Sequence, residues 1–294
     1  MPVPAFPSGA EATREDGFLE ASGGARLYWQ RYRPPSPRAI VMILHGGGDH
    51  SGRYPGITSA LVRAGFTCAL LDFRGHGKSD GRRWHVDAFS DYLEDLGAFA
   101  AKVRAEAAGR KIFVVGHSQG GLIAALWGLA PGRGVDGFVL SSPYLELALK
   151  PPVVKVVAAR IVGKLVPFLA VPTGLETAAL TSDPEMQAWT ERDPLYIRTT
   201  TPRWFEESGR AQAEALRRAS EFAYPLLVLT GTADTVAAPH AGRAFLQAAA
   251  SRDKEHRSYE GFRHEIFNEI GRERPIADAV AWIAARAGIG GQTR

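Results

Sequence analysis

Cysteine is almost absent from this chain: Cys68 is the one thiol in 294 residues, so no internal disulfide can form. It sits inside the apolar stretch Phe66–Phe73, which marks it as a small buried hydrophobe rather than a reactive group. Charge of one sign is also scarce. The formal net charge is +4 and the arginines are dispersed, with no Lys/Arg run long enough to track a nucleic-acid backbone. Nucleic acid is therefore not an expected partner. Residues Met1–Asp16 carry prolines and acidic groups but no basic start followed by an apolar core. A secretory signal is not expected, and a cytoplasmic location is the default. The longest apolar stretch, Val153–Val171, is interrupted by Lys155, Arg160, Lys164 and Pro167, which excludes a membrane span. Repeats and low-complexity tracts are missing. With 45% hydrophobic and 22% charged residues, wholesale disorder is excluded as well, and the length suits a large α/β domain with an insertion.

What is present is a rhythm of strands and helices. Ala25–Tyr32 alternates as a strand; Ala39–Leu44 is continuously apolar and ends in Gly46-Gly47-Gly48. Tyr54–Ala64 has helical spacing and stops at Gly65, and Phe66–Phe73 is a second buried strand. Phe89, Leu93, Leu96, Phe99 and Val103 recur at three and four within Phe89–Ala107, an amphipathic helix. Strands 111–115 and Val135–Leu140 bracket a small-residue helix, Gly120–Ala130. Strands Tyr224–Leu229 and His256–Tyr259 and helix Pro275–Ala287 close the pattern. Continuous apolar strands separated by helices predict an α/β fold with a mostly parallel central sheet covered on both faces. From Pro143 to about Glu206 the rhythm breaks among eight prolines, and no segment there looks like a sheet strand. The expected organisation is a core formed by 1–142 and 207–294, with 143–206 inserted as a helical cap. Val153–Val171 is read as a helix of that cap, either packed on the body or touching lipid or an acyl pocket. Its three basic groups do not share one stripe at about 100° per residue.

Gly116-His117-Ser118-Gln119-Gly120 follows the apolar run 111–115 directly. A buried strand, a sharp turn and a helix are the setting in which G-x-S-x-G holds a nucleophilic serine in strained backbone, with glycines where neighbouring backbone leaves no room. A serine hydroxyl needs a histidine within hydrogen-bond reach. In this arrangement the partners follow in the order serine, acid, histidine. Asp234 ends the strand and turn 227–233 at the carboxyl edge of the sheet, whereas Asp253 lies in a charged loop. The competing reading of Asp234 is a turn cap. His264 sits in the loop leaving strand His256–Tyr259. His50, His76, His85 and His117 come too early in the chain, and His240 and His256 read as surface residues. Ser118, Asp234 and His264 are thus the catalytic candidates. Oxyanion donors are expected from the backbone amides of Gln119 and of Gly47 in His45-Gly46-Gly47-Gly48, with His45 bracing the loop.

Three segments carry a resemblance. His45-Gly46-Gly47-Gly48-Asp49-His50-Ser51-Gly52-Arg53-Tyr54, Asp72-Phe73-Arg74-Gly75-His76-Gly77-Lys78-Ser79 and Gly116-His117-Ser118-Gln119-Gly120-Gly121 resemble the monoacylglycerol lipase/lysophospholipase branch of the α/β-hydrolases, of the serine aminopeptidase S33 type. Tyr259-Glu260-Gly261-Phe262-Arg263-His264-Glu265 resembles that family's catalytic-histidine segment. The resemblance runs from about residue 25 to 285. It implies the α/β-hydrolase fold with a mobile cap over an acyl pocket, and the same five site residues. It also implies no metal and no cofactor; Asp72 and His76 lack a third ligand and read as loop architecture. Two positions depart from the family's usual pattern: Gly47 often carries a larger residue, and Gln119 is often methionine. The implied substrates are single-chain acylglycerols, lysophospholipids or small acyl esters, with transient membrane-surface contact through the cap. Two alternatives stand beside this. One is an aminopeptidase whose cap acids (Glu176, Glu185, Glu191, Glu206 or Glu207) would bind a peptide ammonium. The other is a non-catalytic carrier of an apolar ligand. Dehalogenase or epoxide hydrolase chemistry would place aspartate at position 118.

Overall fold

The computed structural model describes residues 2–149 and 166–288. Eight strands form one sheet: β1 (Thr13–Glu20), β2 (Arg26–Arg33), β3 (Ala39–Leu44), β4 (Phe66–Leu71), β5 (Ile112–His117), β6 (Gly137–Ser141), β7 (Leu226–Gly231) and β8 (Lys254–Tyr259). Their spatial order is β1-β2-β4-β3-β5-β6-β7-β8. β1 pairs antiparallel with β2, and β2 with β4; every later pair is parallel. The expected mostly parallel sheet is therefore present, and its strand limits fall within two residues of those read from the apolar runs. β1 is an addition. Its sequence TREDGFLE is too polar to show a buried run, as suits an edge strand exposed along much of its length.

Strict alternation along β3 divides the core into two layers. Ile40, Met42 and Leu44 face one side, with helices α2 (Ser90–Ala105) and α3 (Gln119–Trp127). Val41 and Ile43 face the other, with α1 (Pro55–Arg63) and the last helix (Glu273–Ala287). Cys68 is fully buried in the second layer. Burying one such leucine or phenylalanine contributes about 1.5–3 kcal/mol, so a sheet sandwiched on both faces holds its strand ends rigidly. The site is built on those ends.

Between β6 and β7 the described chain forms α4 (Thr177–Leu180), α5 (Pro184–Arg192) and α6 (Pro202–Arg217). Asp183 and Thr201 cap the last two by accepting from Glu185 N and Trp204 N. Among the described residues this stretch adds no strand to the eight-stranded sheet, but Val171–Pro172 pairs with Thr199–Thr200 as a short ribbon. The expected boundary at 206/207 falls inside α6, which runs without a break from Pro202. Most of the helix expected over Val153–Val171 lies outside the described residues. No described helix is long and apolar enough to cross a membrane. Two further helices, α7 (Pro239–Ala248) and α8 (Glu273–Ala287), follow β7 and β8.

Candidate active site

β5 delivers Ser118 at the top of the sheet with φ 51° and ψ −116°, a conformation rarely adopted by a residue with a side chain. The turn is held from three sides. Ser118 N donates to Ser141 O at 3.0 Å, and Ser118 O accepts from Leu122 N and Tyr144 N, each at 3.0 Å. The flanking glycines are sterically required. A Cβ at Gly116 would stand 2.5 Å from Gly120 O, and one at Gly120 would stand 2.5 Å from Leu44 O. These neighbours are backbone and cannot swing aside.

The loops after β7 and β8 are stitched together, which brings the other two candidates to the serine. Thr232 N donates to Tyr259 O and Ala233 N to Phe262 O, each at 3.0 Å. Gly231 lies so close to this loop that a Cβ would be 2.2 Å from Phe262 O. Asp234 then divides its work. Oδ1 accepts from the amides of Val236 and Ala237 at 2.8 and 2.9 Å, and Oδ2 meets His264 Nδ1 at 2.8 Å. It caps its turn and orients a histidine at once. His264 Nε2 lies 2.8 Å from Ser118 Oγ. All three side chains are at least nine-tenths buried.

Electrostatics follow from this packing. Burial by itself lowers the His264 pKa, but the charge and hydrogen bond of Asp234, backed by Glu265 and Asp49, outweigh it and raise the net value. Among the described residues no carboxylate hydrogen-bonds His117, whose ring centroid is 5.0 Å from that of His264. Burial, with the nearby His264, drops it to about 3, so it stays neutral.

Gly47 and Gln119, whose amides are expected to bind an oxyanion, line the same cleft as Ser118. Gln119 opens α3, so its N–H has no acceptor within the helix, and the helix's positive end faces Ser118. Among the described residues none accepts from the Gly47 amide. His45 braces this loop as expected, accepting from Phe73 N through Nε2 at 3.0 Å. Asp72 accepts from Ser51 N and Lys78 N, holding the two glycine-rich loops in register. The histidines and the acid set aside on chain order, His240, His256 and Asp253, do not line the cleft around Ser118. His240 is exposed, Asp253 pairs with Arg286, and His256, half-buried rather than superficial, contacts Thr230 Oγ1 at 3.0 Å.

Ser118 opens into a cleft whose free space, its open mouth included, is about 820 Å³. One wall is apolar, made by Trp84, Tyr144, Leu147, Leu175, Leu180, Trp204, Phe205 and Val236; the carboxylates of Asp49 and Glu265 stand among the polar lining. Those two acids are tied to Arg53, which is completely buried: its Nε is 2.8 Å from Asp49 and its Nη2 3.3 Å from Glu265. Arg53 also donates to Thr190 at 2.7 Å and lies under Trp189, joining the loop after β3 to α5. Sequence reasoning quoted Arg53 within a motif without giving it a role, and left Glu265, Trp84 and Trp204 unassigned. The signal available was a lone arginine amid glycines and small residues, whose partners come from distant segments. Arg53→Met is expected to destabilise the protein by about 3–5 kcal/mol, because it strands two buried carboxylates without a counter-ion. Urea denaturation of the two proteins measures this, and a loss under about 1 kcal/mol would refute the buried-network account.

A sheet of this order, with a serine in the turn after its fifth strand and a carboxylate–histidine pair on the loops after the seventh and eighth, defines an α/β-hydrolase. The family model described as "Serine aminopeptidase, S33" matches residues 35–271, and the chain belongs to that family. Its relatives place it in the monoacylglycerol lipase/lysophospholipase branch expected from its motifs. It is 29% identical over 276 residues to a monoacylglycerol lipase of Mycolicibacterium smegmatis, covering 93% of this chain and 98% of that one. With a Bacillus subtilis phospholipase it shares 29% identity over 245 residues, 82% of this chain and 93% of the other. The crystal structure of the Paleococcus ferrophilus monoacylglycerol lipase superposes with a TM-score of 0.80 at 29% identity, covering 88% and 99% of the two chains.

Proposed function

We propose that the protein is a serine hydrolase that cleaves carboxylic esters of single-chain lipids, monoacylglycerols or lysophospholipids, or small acyl esters, through an acyl-enzyme. The observation that carries this is the relay from Ser118 Oγ to His264 Nε2 and from His264 Nδ1 to Asp234, 2.8 Å at each step, opening into a cleft with an aromatic and aliphatic wall. Ser118 Oγ attacks the acyl carbonyl while His264 takes its proton. The oxyanion rests on the Gly47 and Gln119 amides, and the Asp234 carboxylate stabilises the imidazolium. Collapse expels the alcohol, which receives the proton from His264. A water, deprotonated by the same imidazole, then attacks the acyl-serine, and release of the acid restores Ser118. A single acyl chain fits the apolar wall; the polar lining suits hydroxyl groups of a leaving alcohol.

Residues 143–206 act as the cap in this reading. Leu149, Val166, Phe168, Leu169 and Val171 of this insertion are each exposed, and we assign them transient contact with a lipid surface. A cytoplasmic site of action beside the membrane is part of the proposal, in keeping with an unpaired buried thiol.

Aminopeptidase activity has less support despite the family's description. It needs an acid near Ser118 that is free to take an ammonium, and the carboxylates lining the cleft, Asp49 and Glu265, are both turned to the buried Arg53. Glu176, Glu185 and Glu191 are exposed, while Glu206 and Glu207 pair with Arg210. The carrier reading leaves the relay without a use. The test is a chain-length series of glycerol monoesters and matched lysophospholipids, in micelles and in vesicles, beside alanyl and prolyl naphthylamides. Ester turnover at least a hundredfold above amide turnover, with protein co-sedimenting with the vesicles, is the expected result. Amide preference would reverse the assignment of substrate, and no turnover of either class would favour the carrier.

A further inference from the structure

The two residues whose amides are proposed to bind the oxyanion, Gly47 and Gln119, meet on one side chain. Trp84 lays its indole over the loop after β3. A Cβ at Gly47 would stand 2.3 Å from Trp84 Cζ2, and one at Gly48 would stand 2.6 Å from Cζ3. The same indole donates from Nε1 to Gln119 Oε1 at 3.1 Å. Trp84 thus touches both residues whose amides are assigned to the oxyanion. Its own backbone is fixed in an unusual conformation, φ 42°, with its N–H on Gly75 O and its carbonyl accepting from Thr200 Oγ1. On its far side it meets the edge of Trp204, centroids 5.0 Å apart. A tryptophan buried this well, in strained backbone and lining the cleft beside Ser118, is held there by contacts from four separate segments.

We infer that Trp84 is a positioning and specificity-determining residue: it fixes the Gly47 and Gln119 amides in place and sets the width of the cleft beside the reacting carbonyl. The inference rests on the ester-hydrolase reading of the site. It explains why glycine occupies position 47, since the space a side chain would take is filled by the indole. It also explains glutamine at 119, whose amide oxygen gives the buried indole N–H an acceptor.

Four variants test this: Trp84→Phe, Trp84→Ala, Gly47→Ala and the double Gly47→Ala/Trp84→Ala. Each is assayed for kcat and KM on p-nitrophenyl butyrate and p-nitrophenyl benzoate, with thermal melts to certify folding. Trp84→Phe keeps most of the ring but frees Gln119, and is expected to lower kcat about tenfold with KM little changed. Gly47→Ala is expected to cost at least about tenfold in kcat in the wild-type background but little further in the Trp84→Ala background, where the indole no longer fills the space. Trp84→Ala raises the benzoate-to-butyrate ratio of kcat/KM by about tenfold, because a wider cleft admits the broader acyl group. Should Trp84→Ala not fold, Trp84→Phe and Gly47→Ala still decide. An active wild type whose variants keep its kcat and its ester ratio, or a Gly47→Ala loss undiminished by Trp84→Ala, overturns the role of Trp84 alone. A wild type that hydrolyses neither ester overturns the ester-hydrolase reading along with it.

Discussion

Ser118→Ala is expected to lower kcat on p-nitrophenyl esters by on the order of 10⁶-fold, with the protein folded and its melting temperature at or slightly above that of wild type. The size of the loss follows from the absence of a substitute. Ser141 and Ser142 are near in space, but the Ser141 hydroxyl is engaged with His117 Nδ1 at 3.3 Å and neither hydroxyl bonds to His264. The mild effect on stability follows from the turn itself. The strained φ of 51° is imposed by backbone hydrogen bonds to Ser141, Leu122 and Tyr144, all of which an alanine retains. Removal of the hydroxyl therefore deletes the nucleophile and one hydrogen bond to His264, and nothing else. A fluorophosphonate probe should label the wild type at Ser118 and leave the variant unmodified. Turnover within tenfold of wild type in the alanine protein would end the covalent mechanism.

Asp234→Asn is expected to cost about 10⁴-fold in kcat while the structure stays intact. The reason is directional. Val236 and Ala237 both donate to Oδ1, so an asparagine must keep its carbonyl oxygen there. Its NH₂ then takes the place of Oδ2, 2.8 Å from His264 Nδ1, and donates to it. The ring proton moves to Nε2, and His264 can no longer accept from Ser118. The pH profile gives a second readout. His264 works as a base when neutral, so activity is lost as pH falls through its pKa. In the wild type burial pulls that pKa down and Asp234 more than restores it, placing the acid limb above the ordinary histidine value of about 6.5. Without the carboxylate's charge, burial prevails and the limb of the remaining activity moves to lower pH. Measurement of kcat/KM against pH for both proteins decides it; an unmoved limb would show that Asp234 does not set the charge state of His264.

The sheet was legible because its strands are buried on both faces. Ala39–Leu44 and Phe66–Leu71 are continuous apolar runs, and such runs have one stable setting: a parallel sheet between helices. β1 was not legible, since an edge strand of charged residues carries no apolar period. The serine was readable because strand, turn, glycines and helix are consecutive in the chain. Asp234 and His264 were chosen by chain order and loop position, and the structure adds the reason they meet, the backbone hydrogen bonds from Thr232 and Ala233 to Tyr259 and Phe262. Arg53 and Trp84 escaped attention because their contacts lie far off in the chain, Glu265 for the first and Gln119 for the second.

Local pattern thus determined the layered fold, the strained serine turn and the family to which the chain belongs, because each depends on neighbours a few residues apart. Only the folded molecule decided which charges neutralise one another in the cleft and why glycine stands at position 47. Those depend on which side chains occupy the same few cubic ångströms, and packing between remote segments leaves no periodic trace in the sequence.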